Sequence, residues 1–378
     1  VEYAEPNYII EAESVPDDWP YAQSQWSIVQ LPQAWDILAE TGSDESITIA
    51  VIDSGVDLDH PDLAGALTSG YDFANNDAMP DDDSGHGTRV CGIIGALGNN
   101  GGGVAGIAWN ADVRIMPLKF MKYNDGKTTG SVSDAINAIY YAVDNGADII
   151  NASWGFTSYS QSLADAIAYA QSHGVLFMAS AGNSSQDNDT KEHYPSNYGL
   201  DNIIAVAAMN SSGDIASFSN YGKTSVDIAA PGSGLSTTDK DGGYVSYVSG
   251  TSYATPFAAA VAAMIKSQNP TIHYLDLKDV LLSSVAKNNG AKMDQIVSGG
   301  CVDAYQALLA EQSLDSSERE ASSSQQAQGS APVAAAEGGG GGGGCMIETS
   351  SNSGSMMILF AGLITAVLFR MPCARRLG

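Results

Sequence analysis

Ile47-Thr48-Ile49-Ala50-Val51-Ile52, halted by Asp53-Ser54-Gly55, is the stretch that decides the fold. It is short, β-branched and apolar without strict alternation, as expected of a strand buried on both faces of a parallel sheet. Similar runs recur at Val113 to Leu118, Asp148 to Ser153, Val175 to Ala179 and Ile203 to Ala207. Helical stripes lie between them. From Ser131 to Asn145, the apolar residues Val132, Ala135, Ile136, Ile139, Tyr140 and Val143 follow i, i+3, i+4 spacing. Ser131 or Ser133 can cap this helix and Gly146 can end it. Leu163 to Ser172 repeats the plan, with Gly174 just beyond. Such alternation predicts an α/β fold: a doubly wound, mainly parallel sheet with helices on both faces.

The rest of the chain sets limits on function. Its 378 residues are 44% hydrophobic, enough for a large core. The 16 Lys and Arg against 43 Asp and Glu give a net charge of −27. That balance excludes a nucleic-acid partner, whose phosphates need a basic surface, and general adsorption to anionic lipid. It suits an extracellular surface or sites for hard cations. The four cysteines show no zinc spacing and are too few for a disulfide scaffold, so Cys91 and Cys301 are expected as buried free thiols. Regular patterning breaks near residue 311. Residues 311–344 read as a flexible Ser, Gln, Ala and Gly linker ending in Gly338 to Gly344. Residues 345–378 read as a membrane or sorting tail: the apolar run Met356 to Phe369, then Arg370, Arg375 and Arg376.

In open α/β sheets, sites form where strands end. Asp53 ends the first strand. Ser84-Gly85-His86-Gly87-Thr88 opens an apolar helix, and Ala181-Gly182-Asn183 follows the Val175 strand. Gly250-Thr251-Ser252-Tyr253-Ala254-Thr255-Pro256 opens an Ala-rich helix reaching about Gln268. A hydroxyl at a helix start, an imidazole, a carboxylate to fix its tautomer and an amide to meet a developing oxyanion form a nucleophilic set. Each residue alone is ordinary: a cap, a turn or a structural histidine. Their joint occurrence, in glycine-flanked segments, is what carries the reading.

These segments, with Val51-Ile52-Asp53-Ser54-Gly55 and Asn151-Ala152-Ser153-Trp154-Gly155, resemble the subtilisin-like serine proteases, closest to the thermitase-like branch. The resemblance covers about Asp17 to Ala310 and implies a catalytic domain over residues 16–310. It implies Asp53, His86 and Ser252 as the triad and Asn183 as the oxyanion donor. It also implies that Ser153, Trp154, Gly155, Ala179, Ser180, Ala181 and Gly182 bind polypeptide substrate, which would add as a strand. Arg89, Cys91 and Phe257 depart from the family pattern, but none is a catalytic group; the packing behind the His86 helix is expected to differ, and Cys91 to make the enzyme sensitive to mercurials.

Structural Ca2+ is expected twice, with no catalytic cofactor. Asp72, Asn75, Asp77 and Asp81 cluster in one loop stiffened by Pro80, and oxygen donors so grouped suit calcium. By resemblance the Met79 carbonyl joins them. A second site is implied at Asp18, Asp62 and Asn100, with carbonyls from Leu97, Gly102 and Val104. Asp82 and Asp83 are expected as plain solvated carboxylates. Residues 1–15 resemble the end of an inhibitory prodomain, cut between Tyr8 and Val15, so the chain's own prodomain is an expected partner. The tail resembles bacterial sorting tails, which implies a C-terminal sorting peptidase. The expected enzyme is an exported monomer, extracellular or at the cell surface. A non-catalytic scaffold could keep the fold but would be free to lose any of the four polar groups. An esterase should show G-x-S-x-G, which Gly250 to Ala254 does not.

Overall fold

The computed structural model describes residues 15–16, 24–42, 45–287 and 290–314. Asp18, residues 1–14 and residues 315–378 lie outside the described residues, and with them nearly all of the expected prodomain remnant, linker and tail. Among the described residues, no helix is long and apolar enough to cross a membrane.

The strands are β1 (Ile47–Asp53), β2 (Tyr71–Asp72), β3 (Val113–Lys119), β4 (Met121–Asn124), β5 (Lys127–Gly130), β6 (Ile149–Ala152), β7 (Leu176–Ser180), β8 (Ile203–Met209), β9 (Ile228–Pro231), β10 (Ser233–Asp239) and β11 (Gly243–Ser249). The helices are α1 (Ser24–Ile28), α2 (Leu31–Thr41), α3 (His86–Gly95), α4 (Val132–Asp144), α5 (Gln161–Ser172), α6 (Thr251–Gln268), α7 (Tyr274–Ser283) and α8 (residues 304–314). Seven strands form one sheet in the order β2-β3-β1-β6-β7-β8-β9, and every pairing in it is parallel. β4 with β5 and β10 with β11 make two antiparallel hairpins outside it.

β1 shows why its sequence is apolar throughout. Ile47, Ile49 and Val51 enter a core shared with α2, α3, α6 and α7, whereas Ala50 and Ile52 enter the core under α4 and α5. With both faces covered, alternation has no solvent side to report. The helix boundaries follow local chemistry. The Ser131 hydroxyl accepts from the Asp134 N–H at 3.1 Å and caps α4, which settles the choice between Ser131 and Ser133. Ser160 does the same for α5. α8 continues past residue 310, where composition had placed the linker, and Glu311 in it is buried. Cys91 and Cys301 are buried and free, as expected.

The chain leaves β1 toward β3 on one side and returns through β6 on the other. That reversal of direction places a crevice at the carboxyl ends of β1 and β6, where an α/β sheet forms its site.

Candidate active site

Asp53 is the last residue of β1 and is fully buried. His86 is the first residue of α3. They meet with His86 Nδ1 at 2.7 Å from Asp53 Oδ1, an oxygen that also accepts the Ser54 N–H at 2.7 Å. Asp53 Oδ2 is buried and, among the described residues, has no hydrogen-bond partner. Burial alone would lower the proton affinity of His86. The charge and hydrogen bond of Asp53, with the charge of Asp82, outweigh it, and the pKa lies above the ordinary 6.5.

Asp82 corrects one expectation. It is 7% exposed, not solvated, and its carboxylate organises the start of α3. Oδ1 accepts from Ser54 Oγ, Ser84 N and Gly85 N at 2.8–2.9 Å, and Oδ2 accepts from Thr88 N at 2.9 Å and Thr88 Oγ1 at 2.7 Å. A helix N-terminus carries orphan N–H groups and partial positive charge, and a buried carboxylate answers both. Asp83 stays half in solvent, paired with Lys119 at 3.3 Å. Cys91, one turn beyond His86, is fully buried. Burial first, then the charges of Asp53 and Asp82, pushes its thiol well above the usual range and suppresses the reactive thiolate.

Ser252 is the second residue of α6 and is half-buried. Pro256, four residues on, has no N–H to give the Ser252 carbonyl. Ser153 Oγ fills that vacancy at 2.8 Å and is itself held by Asn151 Nδ2 at 2.9 Å. The end of β6 therefore grips the backbone of residue 252. The end of β7 grips its neighbour: Gly182 N donates to Thr251 Oγ1 at 3.2 Å. Thr251 N and Oγ1 both donate to Asn183 Oδ1, at 2.8 and 3.0 Å. Because a backbone N–H can only donate, this contact fixes which amide atom is oxygen. It leaves Nδ2 of the exposed Asn183 to serve as a donor beside the start of α6.

The remaining expected substrate residues stand at the ends of β6 and β7. Trp154 Nε1 donates to the Ile52 carbonyl at 2.8 Å, and Ser180 Oγ to the Trp154 carbonyl at 3.3 Å. Ala179, Ser180 and Ala181 are buried, and Gly155 is exposed. Gly182 has φ 104, a left-handed conformation that a side chain resists. Reading the sequence missed His193. A Cβ at Gly155 would stand 2.1 Å from His193 Cε1, and one at Gly182 would stand 3.0 Å from His193 Cδ2. Burial lowers the proton affinity of His193, and a hydrogen bond to the Ser180 backbone only partly offsets this. Its flanks, Glu192 and Tyr194, carry no motif that would have singled it out.

The two expected calcium loops have carboxylates in unusual settings. Asp72 and Asp62 are each 1% exposed. Asp72 accepts Asn75 N and Nδ2, both at 2.7 Å. Asp62 accepts Asn100 Nδ2 at 2.6 Å and Val104 N at 2.9 Å. Among the described residues, neither has a basic partner within ion-pair distance. Asp77 accepts from Met79 N at 2.8 Å, and Asp81 N donates to the Met79 carbonyl at 2.8 Å. Leu97 N donates to the Asp62 carbonyl at 2.8 Å, and Gly102 N to Asn100 Oδ1 at 3.2 Å. Among the described residues, no three Asp, Glu, His or Cys side chains converge tightly enough to hold a metal ion.

Residues 44–300 match the family model described as the subtilase family. The chain is 42% identical over 274 residues to the "Thermophilic serine proteinase" of Bacillus sp. (strain AK1), a match that spans 71% of this chain and 64% of that one. It is 41% identical over 240 residues to thermitase of Thermoactinomyces vulgaris, 64% of this chain and 80% of that one. Among solved structures, a protease from Pseudoalteromonas arctica superposes with a TM-score of 0.68 at 29% identity, over 79% of this chain and all of that one.

Proposed function

The chain belongs to the subtilase family of serine endopeptidases, and from that premise we propose that it hydrolyses peptide bonds through an acyl-enzyme on Ser252. Ser252 Oγ attacks the scissile carbonyl while His86 Nε2 takes its proton. Asp53 holds the imidazole through Nδ1 and balances the imidazolium. Asn183 Nδ2 donates to the oxyanion. Collapse expels the amine, which takes the proton from His86, and water then repeats the sequence to release the acid. The substrate lies extended between Ser153–Gly155 and Ala179–Gly182. The observation that supports this reading most directly is the 2.7 Å Asp53–His86 contact at the end of β1. A fluorophosphonate probe should label the protein at Ser252, located by peptide mass spectrometry. A folded protein that stays unlabelled sinks the reading.

Asn183→Ala should lower kcat roughly 10²–10³-fold with little change in KM, a size known from subtilisin's own oxyanion residue. The Gly182 N–Thr251 Oγ1 and Ser153 Oγ–Ser252 carbonyl bonds, which do not involve the Asn183 side chain, would still hold the start of α6, and a melting curve beside kinetics against a chromogenic peptide separates the loss of Nδ2 from the loss of the Thr251 contacts. Unchanged kcat would remove Asn183 from the oxyanion hole.

Structural calcium is part of the same proposal. Asp72, Asn75, Asp77, Met79 and Asp81 would hold one ion, and Asp18, Asp62, Leu97, Asn100, Gly102 and Val104 another. Buried Asp72 and Asp62, held by amides with no basic side chain, suit a hard cation, which would stabilise their loops. Chelation should lower the melting temperature, since an ion binding only the folded state at a hundredfold excess over Kd contributes about 2.7 kcal/mol. Asp77→Ala and Asp62→Ala should each shrink the gap between melting curves in calcium and in chelator. Coincident wild-type curves would refute both sites.

On this reading the enzyme works outside the cytoplasm, free or at the cell surface, as a monomer released from its own prodomain. Residues 345–378 serve as its membrane or sorting tail, a substrate for a C-terminal sorting peptidase.

A further inference from the structure

Tyr253 follows Ser252 directly and is 8% exposed. Its ring packs on the His86 imidazole, with centroids 5.7 Å apart and planes inclined by 39°. Its hydroxyl lies within electrostatic reach of the Arg89 guanidinium. Arg89 lies one turn along α3 from His86 and makes a two-pronged pair with Asp239, the last residue of β10. Nε donates to Oδ1 at 3.1 Å and Nη2 to Oδ2 at 3.0 Å. The pair lies across Gly85, whose φ is 87: a Cβ there would stand 2.6 Å from Asp239 Oδ1 and 3.3 Å from Arg89 Nη2. β10 also binds the backbone of α3, with Thr237 Oγ1 donating to the Arg89 carbonyl and Thr238 Oγ1 to the Thr88 carbonyl, both at 2.8 Å. Three elements thus meet around the imidazole through side chains that the proposed mechanism does not use.

We propose that Tyr253, Arg89 and Asp239 are positioning residues for His86, holding the plane of its ring from the nucleophile's own helix and placing a balanced cation beside it. The inference rests on the reading of His86 as general base. An imidazole tethered through Nδ1 alone can pivot about that bond. A ring against its face stops the pivot and keeps Nε2 aimed at the nucleophile. The tyrosine is fixed in turn by burial, and its hydroxyl is in reach of a guanidinium whose planar fork is locked by a carboxylate.

The same arrangement sets the field at His86. The charged or titratable groups facing it are Asp53 from β1, Asp82 from the loop before α3, Arg89 from α3 and Tyr253 from α6. Both acids favour the imidazolium and Arg89 opposes it. Asp239 acts through Arg89, whose charge it offsets.

The test is the pH dependence of kcat/KM, normalised by active-site titration so that a smaller folded fraction does not move it. Arg89→Gln should shift the acid limb to higher pH, and Asp239→Asn should shift it to lower pH. Arg89→Lys, which keeps the charge without the fork, should return the limb to the wild-type position while lowering kcat. Tyr253→Phe should lower kcat roughly threefold and Tyr253→Ala roughly 10–100-fold, with KM nearly unchanged. Limbs that stay put, or move the same way in Arg89→Gln and Asp239→Asn, would overturn the proposal, as would full kcat in Tyr253→Ala. A wild-type protein that neither cleaves peptide nor reacts with fluorophosphonate would instead overturn the general-base reading beneath it.

Discussion

Ser252→Ala lowers kcat for peptide hydrolysis by about 10⁶, the loss known for subtilisin's nucleophile and not a figure derived from this geometry. Alanine has no oxygen to acylate, so the two-step route through an ester closes. What remains is direct attack by water, helped only by the oxyanion donors and by binding. The fold should survive the change. Residue 252 is anchored by its backbone carbonyl, which Ser153 Oγ holds at 2.8 Å and which alanine keeps. The outcome to measure is single-turnover cleavage of a chromogenic peptide beside a melting curve. A variant that melts like the wild type and still turns over would end the triad assignment. A variant that loses activity only because it unfolds would show up in the melt.

Asp53→Asn should cost about 10⁴ in kcat, the size known for the acid of a serine-protease triad. Asp53 is buried, and its carboxylate would be the nearest counter-charge to the imidazolium formed as Ser252 loses its proton. A neutral amide removes that charge. If its NH2 faces Nδ1, it also forces the proton onto Nε2, where a base must be bare. The pH profile gives an independent sign. In the wild type the pKa of His86 is raised, so catalysis, which needs the neutral ring, gains with pH on the alkaline side of 6.5. The stability that the pair contributes runs the other way. It is fully present below the unfolded value near 6.5 and is lost as pH climbs through the folded value. Asp53→Asn removes both opposing trends, so residual activity should persist to lower pH. More than a tenth of wild-type kcat in the variant would show that Asp53 does not serve His86.

The parts of this molecule that were legible in the sequence are those where burial leaves few residue choices. β1, β3, β6, β7 and β8 are apolar because helices cover both faces, and the runs that predict them end within two residues of the observed strands. The Asp53, His86, Asn183 and Ser252 segments were legible because each sits where a strand stops or a helix starts. The polar devices were not. β10 and β11 are rich in Ser, Thr and Tyr and half in solvent, so they carry no apolar signal. Asp81, Asp82 and Asp83 read alike in a row. Only the turn that buries Asp82 against Ser54 and Thr88 separates it from its neighbours. Arg89 reads as a surface cation until Asp239, 150 positions later, and Tyr253 are brought to it.

The wholly parallel sheet has a consequence in time. Its interior strand β1 must find a partner far along the chain: Ile49 pairs with Ile149, a hundred positions on, and β8 pairs with β9 only after both are made. Closing loops of that length comes before any of the contacts they secure, so such a sheet forms slowly. A copy still waiting for β9 exposes extended, apolar backbone, the form in which a peptidase takes its substrate. The copies that fold first would therefore be predators of those that lag. In refolding, the rate at which the sheet closes competes directly with the rate at which finished molecules cut unfinished ones.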